Sequence, residues 1–309
     1  MSFRITQESM GRTILSNIGL NLKKMQEIQE KLSTGKQINR PSDNPSGARK
    51  ILGLKTEELK FQQFAENTEI ARERMNYTLN SLENIQNILH KIKELGIQAS
   101  NDTLGQTERK ILASELNELL ESVLQFTNTD NDGRYIFAGT KTSTMPFFAM
   151  RDSVGRISSV TYAGNNEEIN YQIGPNTDIQ INMPGGTVFQ DKSVFSTLIS
   201  MRDTLESDTF DSSSFLDLRN TLDTATDVLS TEITNFGAKT NRLELTSQSL
   251  ENLRITLQEL ISYTEDADVA SLIMDLKNQE NILQSSLQTG ARVIQLPSSI
   301  FSDKLLSKK

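Results

Sequence analysis

Two places in this 309-residue sequence combine residue type and spacing in a way that could hold an ion: the Gly35-Lys36 pair, and the alternating oxygens of Asn128, Asp130 and Asp132. A phosphate-binding loop needs a glycine five positions before its Gly-Lys pair and a hydroxyl after the lysine. Glu30 and Gln37 stand there instead, so a carboxylate would face the phosphate and the nucleotide reading fails. In "NTDNDGRYIFAG" the spacing imitates a calcium loop as far as Gly133, but the twelfth position is Gly139 rather than a bidentate glutamate. Strand-forming "RYIF" follows where a helix should exit, and the segment reads as a turn. Glu57-Glu58 and Asp266-Asp268 offer paired carboxylates for acid-base work, yet each falls on a polar helix face where solvation is the default. With no cysteine and a single histidine, His90, thiolate and multi-histidine metal sites are excluded. His90 reads as a solvated helix residue, and the sequence leads us to expect no catalytic residue, no cofactor and no metal.

Composition points away from other classes as well. Apolar residues make up 36% of the chain, aromatic residues 6% and charged residues 23%, with no tryptophan, so much of the chain presents polar surface along its elements. The formal net charge of −8 lacks the basic footprint that nucleic acid or an anionic membrane requires, and neither is expected as a partner. No stretch approaches the ~18 to 20 apolar residues of a membrane helix, and "MSFRITQESMGRTILSNIGL" lacks the apolar core of a cleaved secretory signal.

Helical spacing dominates both ends. Leu15, Ile18, Leu22, Met25 and Leu32 step by three and four, with Gln29 at the one polar position. After Ile51 and Leu54 a strict heptad row runs through Met75, Thr78, Leu82, Ile85, Leu89, Ile92, Gly96 and Ala99. Ile111, Leu112, Leu116, Leu119, Val123 and Phe126 mark a shorter helix. From Arg134 the period falls to two in "RYIFAG", "MPFFAM", "RISSVTYAG", "EINYQIG" and "DIQINMP", which predicts a small antiparallel β module over about 134–190. Helical spacing returns at Val194 and continues through Phe215, Leu218, Leu222, Leu229, Ile233, Phe236, Leu243, Leu250, Leu253, Leu257 and Leu260. The last row is Val269, Ile273, Leu276, Glu280, Leu283, Leu287, Gly290 and Ile294, closed by Pro297. The expected fold class is mainly α with a small β insertion. Because neither end carries its own second layer, the two ends should pair in an elongated antiparallel coiled-coil bundle with the β module at its distal tip.

"STGKQINRPSDNPSGARK" at 33–50 reads as a joint between two helices. Gly35 suits a left-handed helix cap, Pro41 forbids continuation, and Asn44 followed by Pro45 fits an N-cap with proline in the first helical position. Between them Arg40 and Asp43 are placed for charge-assisted hydrogen bonds that pin the joint to a neighbouring helix or subunit.

"LSTGKQINRPSDNPSGARKILGLKTEEL", "LGIQASNDT" at 95–103, "GRYIFAGTKTSTMPF" at 133–147, "GAKTNRLE" at 237–244 and "DADVASLIMDLKNQENILQSSLQTGARVIQL" at 266–296 occur in order. Together they resemble successive landmarks of the bacterial flagellin superfamily, in its hook–filament junction branch. The resemblance implies a non-enzymatic structural subunit of the extracellular flagellum, exported through the type III apparatus without a cleaved signal. It would sit between the first hook-associated junction protein and the flagellin filament, with filament flagellin itself as the alternative. It further implies a ring or helical oligomer of the chain itself and an export chaperone on the C-terminal amphipathic region. Three regions follow: a terminal coiled-coil assembly domain of 1–43 plus 266–309, disordered in the monomer; a helical bundle of 44–133 plus 194–265; and a small β-rich outer domain of 134–193. Leu15, Ile18, Leu22 and Met25 with Ile273, Leu276, Leu283 and Leu287 are the expected assembly residues. Arg40, Pro41, Asp43, Asn44 and Pro45, with Asn241 and Arg242, are the expected joint and interface residues. The basic tail "LPSSIFSDKLLSKK" departs from the apolar C-terminus expected of the family.

Overall fold

The computed structural model describes residues 7–100 and 104–294, so Pro297 and the basic tail lie outside the described residues. Contacts divide the chain into two compact units, Met1–Leu59 with Arg254–Lys309 and Lys60–Leu253. The boundaries fall inside two long helices, α2 (Pro45–Ala99) and α5 (Ser212–Glu265). The remaining helices are α1 (Gln7–Thr34), α3 (Gln106–Thr127), α4 (Val194–Glu206) and α6 (Val269–Ile294).

Within Lys60–Leu253 the core is built from heptad rows. Ala71, Met75, Thr78, Leu82, Ile85, Leu89, Ile92 and Ala99 of α2 are all buried, as are Phe215, Leu222, Leu229, Phe236 and Leu243 of α5, spaced seven apart. A row with that period stays on one side of a helix and is covered by one neighbour along its length. The two helices run antiparallel: Gln86 Nε2 donates to Ser230 Oγ at 2.7 Å, and Lys93 pairs with Asp223 at 2.8 Å. Helix α3 folds back on α2, with Lys91 beside Glu115 at 3.4 Å and Ser81 Oγ donating to the Phe126 carbonyl at 2.9 Å. The helical pattern from Val194 is broken at 207–211, where Asp211, just before α5, accepts the Ser213 N–H at 3.0 Å. Hydrogen bonds from Ser214 and Ser213 hold its carboxyl down to about 2.

The β segment forms three separate antiparallel hairpins: β1 (Asp130–Asn131) with β2 (Arg134–Tyr135), β3 (Phe147–Arg151) with β4 (Ile157–Tyr162), and β5 (Asn170–Gly174) with β6 (Thr177–Gln180). Asp132 and Gly133, at φ 53° and 71°, make the two-residue turn between β1 and β2. Only Arg134 and Tyr135 of "RYIFAG" are strand; Ile136, Phe137 and Ala138 leave the ladder and are buried. Phe137 meets Phe189 edge to face at 5.5 Å, and Phe147 meets Phe189 at 5.9 Å and Phe195 at 5.2 Å. Phe189 belongs to a π-helical turn, Gly186–Gln190. Asn128, placed at the start of the calcium-like spacing, instead clamps β3: its Oδ1 accepts from the Phe147 N–H and its Nδ2 donates to the Phe147 carbonyl, both at 2.9 Å.

Two isoleucines five positions apart on α2 test the heptad row. Ile92 is fully buried while Ile97 is 54% exposed. Ile92→Ala should lower unfolding stability by about 2–5 kcal/mol in urea, and Ile97→Ala by about 0.5 or less.

Candidate assembly interface

Helices α1 and α6, both in the unit made of the chain ends, pack antiparallel. Gly11, Ile14, Ile18, Asn21, Met25, Ile28 and Leu32 are the residues of α1 with reduced exposure in strict three-four spacing; Leu272, Leu276, Gln279, Leu283, Ser286 and Gly290 are their counterparts on α6. Gly290 stands against Ile14 and Ile18, and a Cβ there would come within 3.1 Å of Ile14 Cγ2. Asn21 is the polar member of its row. Its Nδ2 donates to Ser286 Oγ at 3.3 Å, and Gln279 Nε2 donates to its Oδ1 at 3.2 Å. This half-buried amide has both its partners in this register alone, which favours this alignment of the two ends.

The sequence rows and the contact rows overlap without coinciding. Ile18 and Met25, Leu276 and Leu283 lie in the α1–α6 contact rows and are half-buried. Leu15 and Leu22 stand beside their row at 63% and 43% exposure, and Ile273 and Leu287 at 50% each. Each end helix thus carries a second apolar stripe that its partner helix leaves in solvent. Two of the four residues expected on each helix meet the other helix, and two face outward.

The joint is held by the connection between α5 and α6. Gln37 N–H donates to the Glu265 carbonyl at 2.7 Å and Ala267 N–H to the Gly35 carbonyl at 2.9 Å, with Lys36 and Asp266 paired as a β-bridge. Gly35, at φ 70°, takes the left-handed conformation that a side chain would strain. The buried Glu265 side chain receives Lys36 and, at 2.7 Å, Lys55. Burial pushes the Glu265 carboxyl up, but hydrogen bonds from Lys36 and Lys55 outweigh it and leave the group below its ordinary range. The same hydrogen bond raises the Lys36 pKa. Arg40 pairs with Glu30 of α1 at 2.9 Å, and the Asp43 carboxylate accepts the Arg40 N–H at 2.9 Å, which lowers its pKa. Asn44 Oδ1 accepts the Gly47 N–H at 2.9 Å, capping α2, whose first residue is Pro45; Pro41 is exposed. Asn241 and Arg242 are exposed on α5 in the other unit, away from this cluster in the chain. Asp268 caps α6 by accepting the Ala270 N–H at 3.0 Å. Glu58 accepts Gln258 Nε2 at 3.0 Å, and His90 is exposed on α2. Sequence reasoning missed Glu265. It lies one turn beyond Ile261 on a buried row, and a carboxylate at such a position demands cationic partners.

Comparison with known proteins follows the helices. The profile of the bacterial flagellin N-terminal helical region matches residues 5–142, and that of the bacterial flagellin C-terminal helical region matches residues 220–302. A flagellar hook-associated protein 3 from Escherichia coli strain K12 is 30% identical over 181 residues, 58% of this chain and 54% of that one. The chain therefore aligns with about half the length of that relative. A flagellin from Halalkalibacterium halodurans is 25% identical over 284 residues, 92% of this chain and 93% of the other. Among solved structures, the flagellar hook-associated protein-3 of Legionella pneumophila superposes with a TM-score of 0.62 at 17% identity, covering 69% of this chain and 98% of that one, a likeness of fold.

The Glu265 cluster has a defined pH signature. Because its folded pKa lies below the ordinary 4.5, the stability it contributes is present above about 4.5 and lost as pH falls below that. Lys36, raised from 10.5, contributes fully below that value and loses its share as pH rises past it. Glu265→Gln should destabilise by about 2 kcal/mol at neutral pH, read by thermal unfolding, and the gap to wild type should narrow progressively as pH falls below about 4.5. A gap that stays constant from pH 8 down to the acid unfolding of the wild type would refute this assignment.

Proposed function

Since the chain belongs to the bacterial flagellin superfamily, with both helical regions matched, we propose that it is a structural subunit of the hook–filament junction that assembles through its paired ends. The observation that carries this reading is the second apolar stripe on α1 and α6. Leu15, Leu22, Ile273 and Leu287 lie at 43% to 63% exposure on helices whose other row is already covered, and burying such side chains fully is worth ~1.5–3 kcal/mol each. Neighbouring copies supply that cover, so α1 and α6 complete their folding on assembly. Residues 1–43 and 266–309 act as the assembly domain, 44–133 and 194–265 as a preformed bundle, and 134–193 as the outer domain. The partners are further copies of the chain, the first hook-associated junction protein, flagellin, and an export chaperone and type III apparatus that deliver the chain without a cleaved signal. The chain does no chemistry. The near full-length similarity to a flagellin supports filament flagellin as the second reading.

Deletion of the gene separates the two readings. A junction subunit predicts hooks without filaments in electron micrographs and flagellin released into the medium; a filament subunit predicts hooks with no flagellin in the medium. Normal filaments would remove both. Complementation with Leu22→Asp plus Leu287→Asp should fail, although the purified variant unfolds within about 2 °C of wild type because neither residue is in the covered row.

A further inference from the structure

Arg74 of α2 and Arg134 of β2 line a cavity of about 220 Å³ within Lys60–Leu253 that the stripe-to-stripe assembly above does not use. Glu73 and Asp132 line it as well, with Ile136 and Tyr171 among its walls. Among the described residues neither acid forms an ion pair with either arginine, and Arg74 Nη2 is sealed from solvent without a hydrogen-bond acceptor. A buried donor left open costs free energy, the more so when charged. Burial holds the Arg74 pKa below its usual value; Tyr171 opposes this, and Arg134 adds a smaller push in the lowering direction.

Arg74 brings one open guanidinium donor to the cavity, and Arg134, exposed on its wall, brings a second guanidinium, a pair that can donate to the two oxygens of a planar carboxylate. At this volume the cavity falls below the ~300 Å³ of a small-molecule pocket and has room for one acidic side chain. The chain itself carries 40 acidic against 32 basic residues, so a second copy presents carboxylates in excess. We propose that the cavity between Arg74 and Arg134 receives an aspartate or glutamate side chain of a second copy of this chain, an ionic lock that rests on the assembly reading and adds to it a contact outside the chain ends.

Acetate is the probe of the cavity. In the purified full-length chain, the Arg74 side-chain N–H resonance should shift saturably with acetate, and Arg134→Gln should weaken that binding at least about tenfold. No saturable shift, or an equal one in Arg134→Gln, overturns the site. Arg74→Met keeps the side-chain stem and removes the open charge. It should therefore leave the unfolding midpoint unchanged or higher while filaments of the complemented deletion strain detach under shear that wild type survives. A lower midpoint with normal attachment makes Arg74 a packing residue and overturns the lock. For the occupant, Ile70→benzoylphenylalanine at the cavity wall, which keeps both arginines, photolysed in assembled flagella, should link two copies of this chain; a link only to a different flagellar protein overturns the second copy. If the deletion strain makes normal filaments, the junction reading fails, and with it the second copy as occupant, while the acetate titration still decides whether the cavity takes a carboxylate.

Discussion

A row of side chains repeating every seven residues keeps to one side of a helix, and one neighbour can cover one row. The structure depends on that constraint. In Lys60–Leu253 the α2 and α5 rows close on each other, and α3, α4 and the aromatic hairpins add further cover, so Leu82, Ile85, Leu116 and Leu229 are buried to 1% exposure or less. In the unit made of the chain ends, α1 has α6 and α6 has α1, while each sequence carries two adjacent apolar rows. One row on each helix is covered and the other is not.

Polar groups decide which row is covered. Asn21 with Gln279 and Ser286 places an amide network in the α1–α6 contact, and Glu265 with Lys36 and Lys55 places an ionic one at the joint. Each would be costly to bury unpaired. Neither contributes as much stability as leucines in the same place would. Both instead penalise alternative alignments: sliding α6 by one heptad on α1 would take from Asn21 one of its two polar partners, Gln279 or Ser286.

The helices were legible because a 3.5-residue period sustained over several turns has no competing explanation, and the joint because Gly35 and Asn44-Pro45 carry conformational demands of their own. The choice of row was not. Ile18, Met25 and Leu32 belong both to the sequence row through Leu15 and Leu22 and to the contact row through Ile14, Asn21 and Ile28; counting apolar residues favours the first, whereas pairing of amides selects the second. The break at 207–211 was hidden because Phe210 packs on Phe215 at 5.5 Å and keeps the apolar spacing nearly continuous. "RYIFAG" alternates like a strand but ends as core packing, since Phe137 gains more from Phe189 and the Tyr162 hydroxyl at its carbonyl than from a partner strand. The Arg74–Arg134 cavity had no sequence signal, because its two cations are sixty residues apart and share neither motif nor period.

Magnitudes say how an assembling chain with these ends would behave. Leu15, Leu22, Ile273 and Leu287 are about half exposed, so covering the remainder yields roughly half of the ~1.5–3 kcal/mol that full burial of each is worth, or about 3–6 kcal/mol for the four. Loss of rigid-body freedom on association costs an estimated 4–15 kcal/mol. A single stripe-to-stripe contact between two free copies covers both stripes, about 6–12 kcal/mol, which only balances that cost. Contacts with several neighbours at once exceed the cost, because a subunit loses its rigid-body freedom once while each neighbour adds cover. An end pair built this way favours addition where an existing layer already presents several copies over pairing of two free copies.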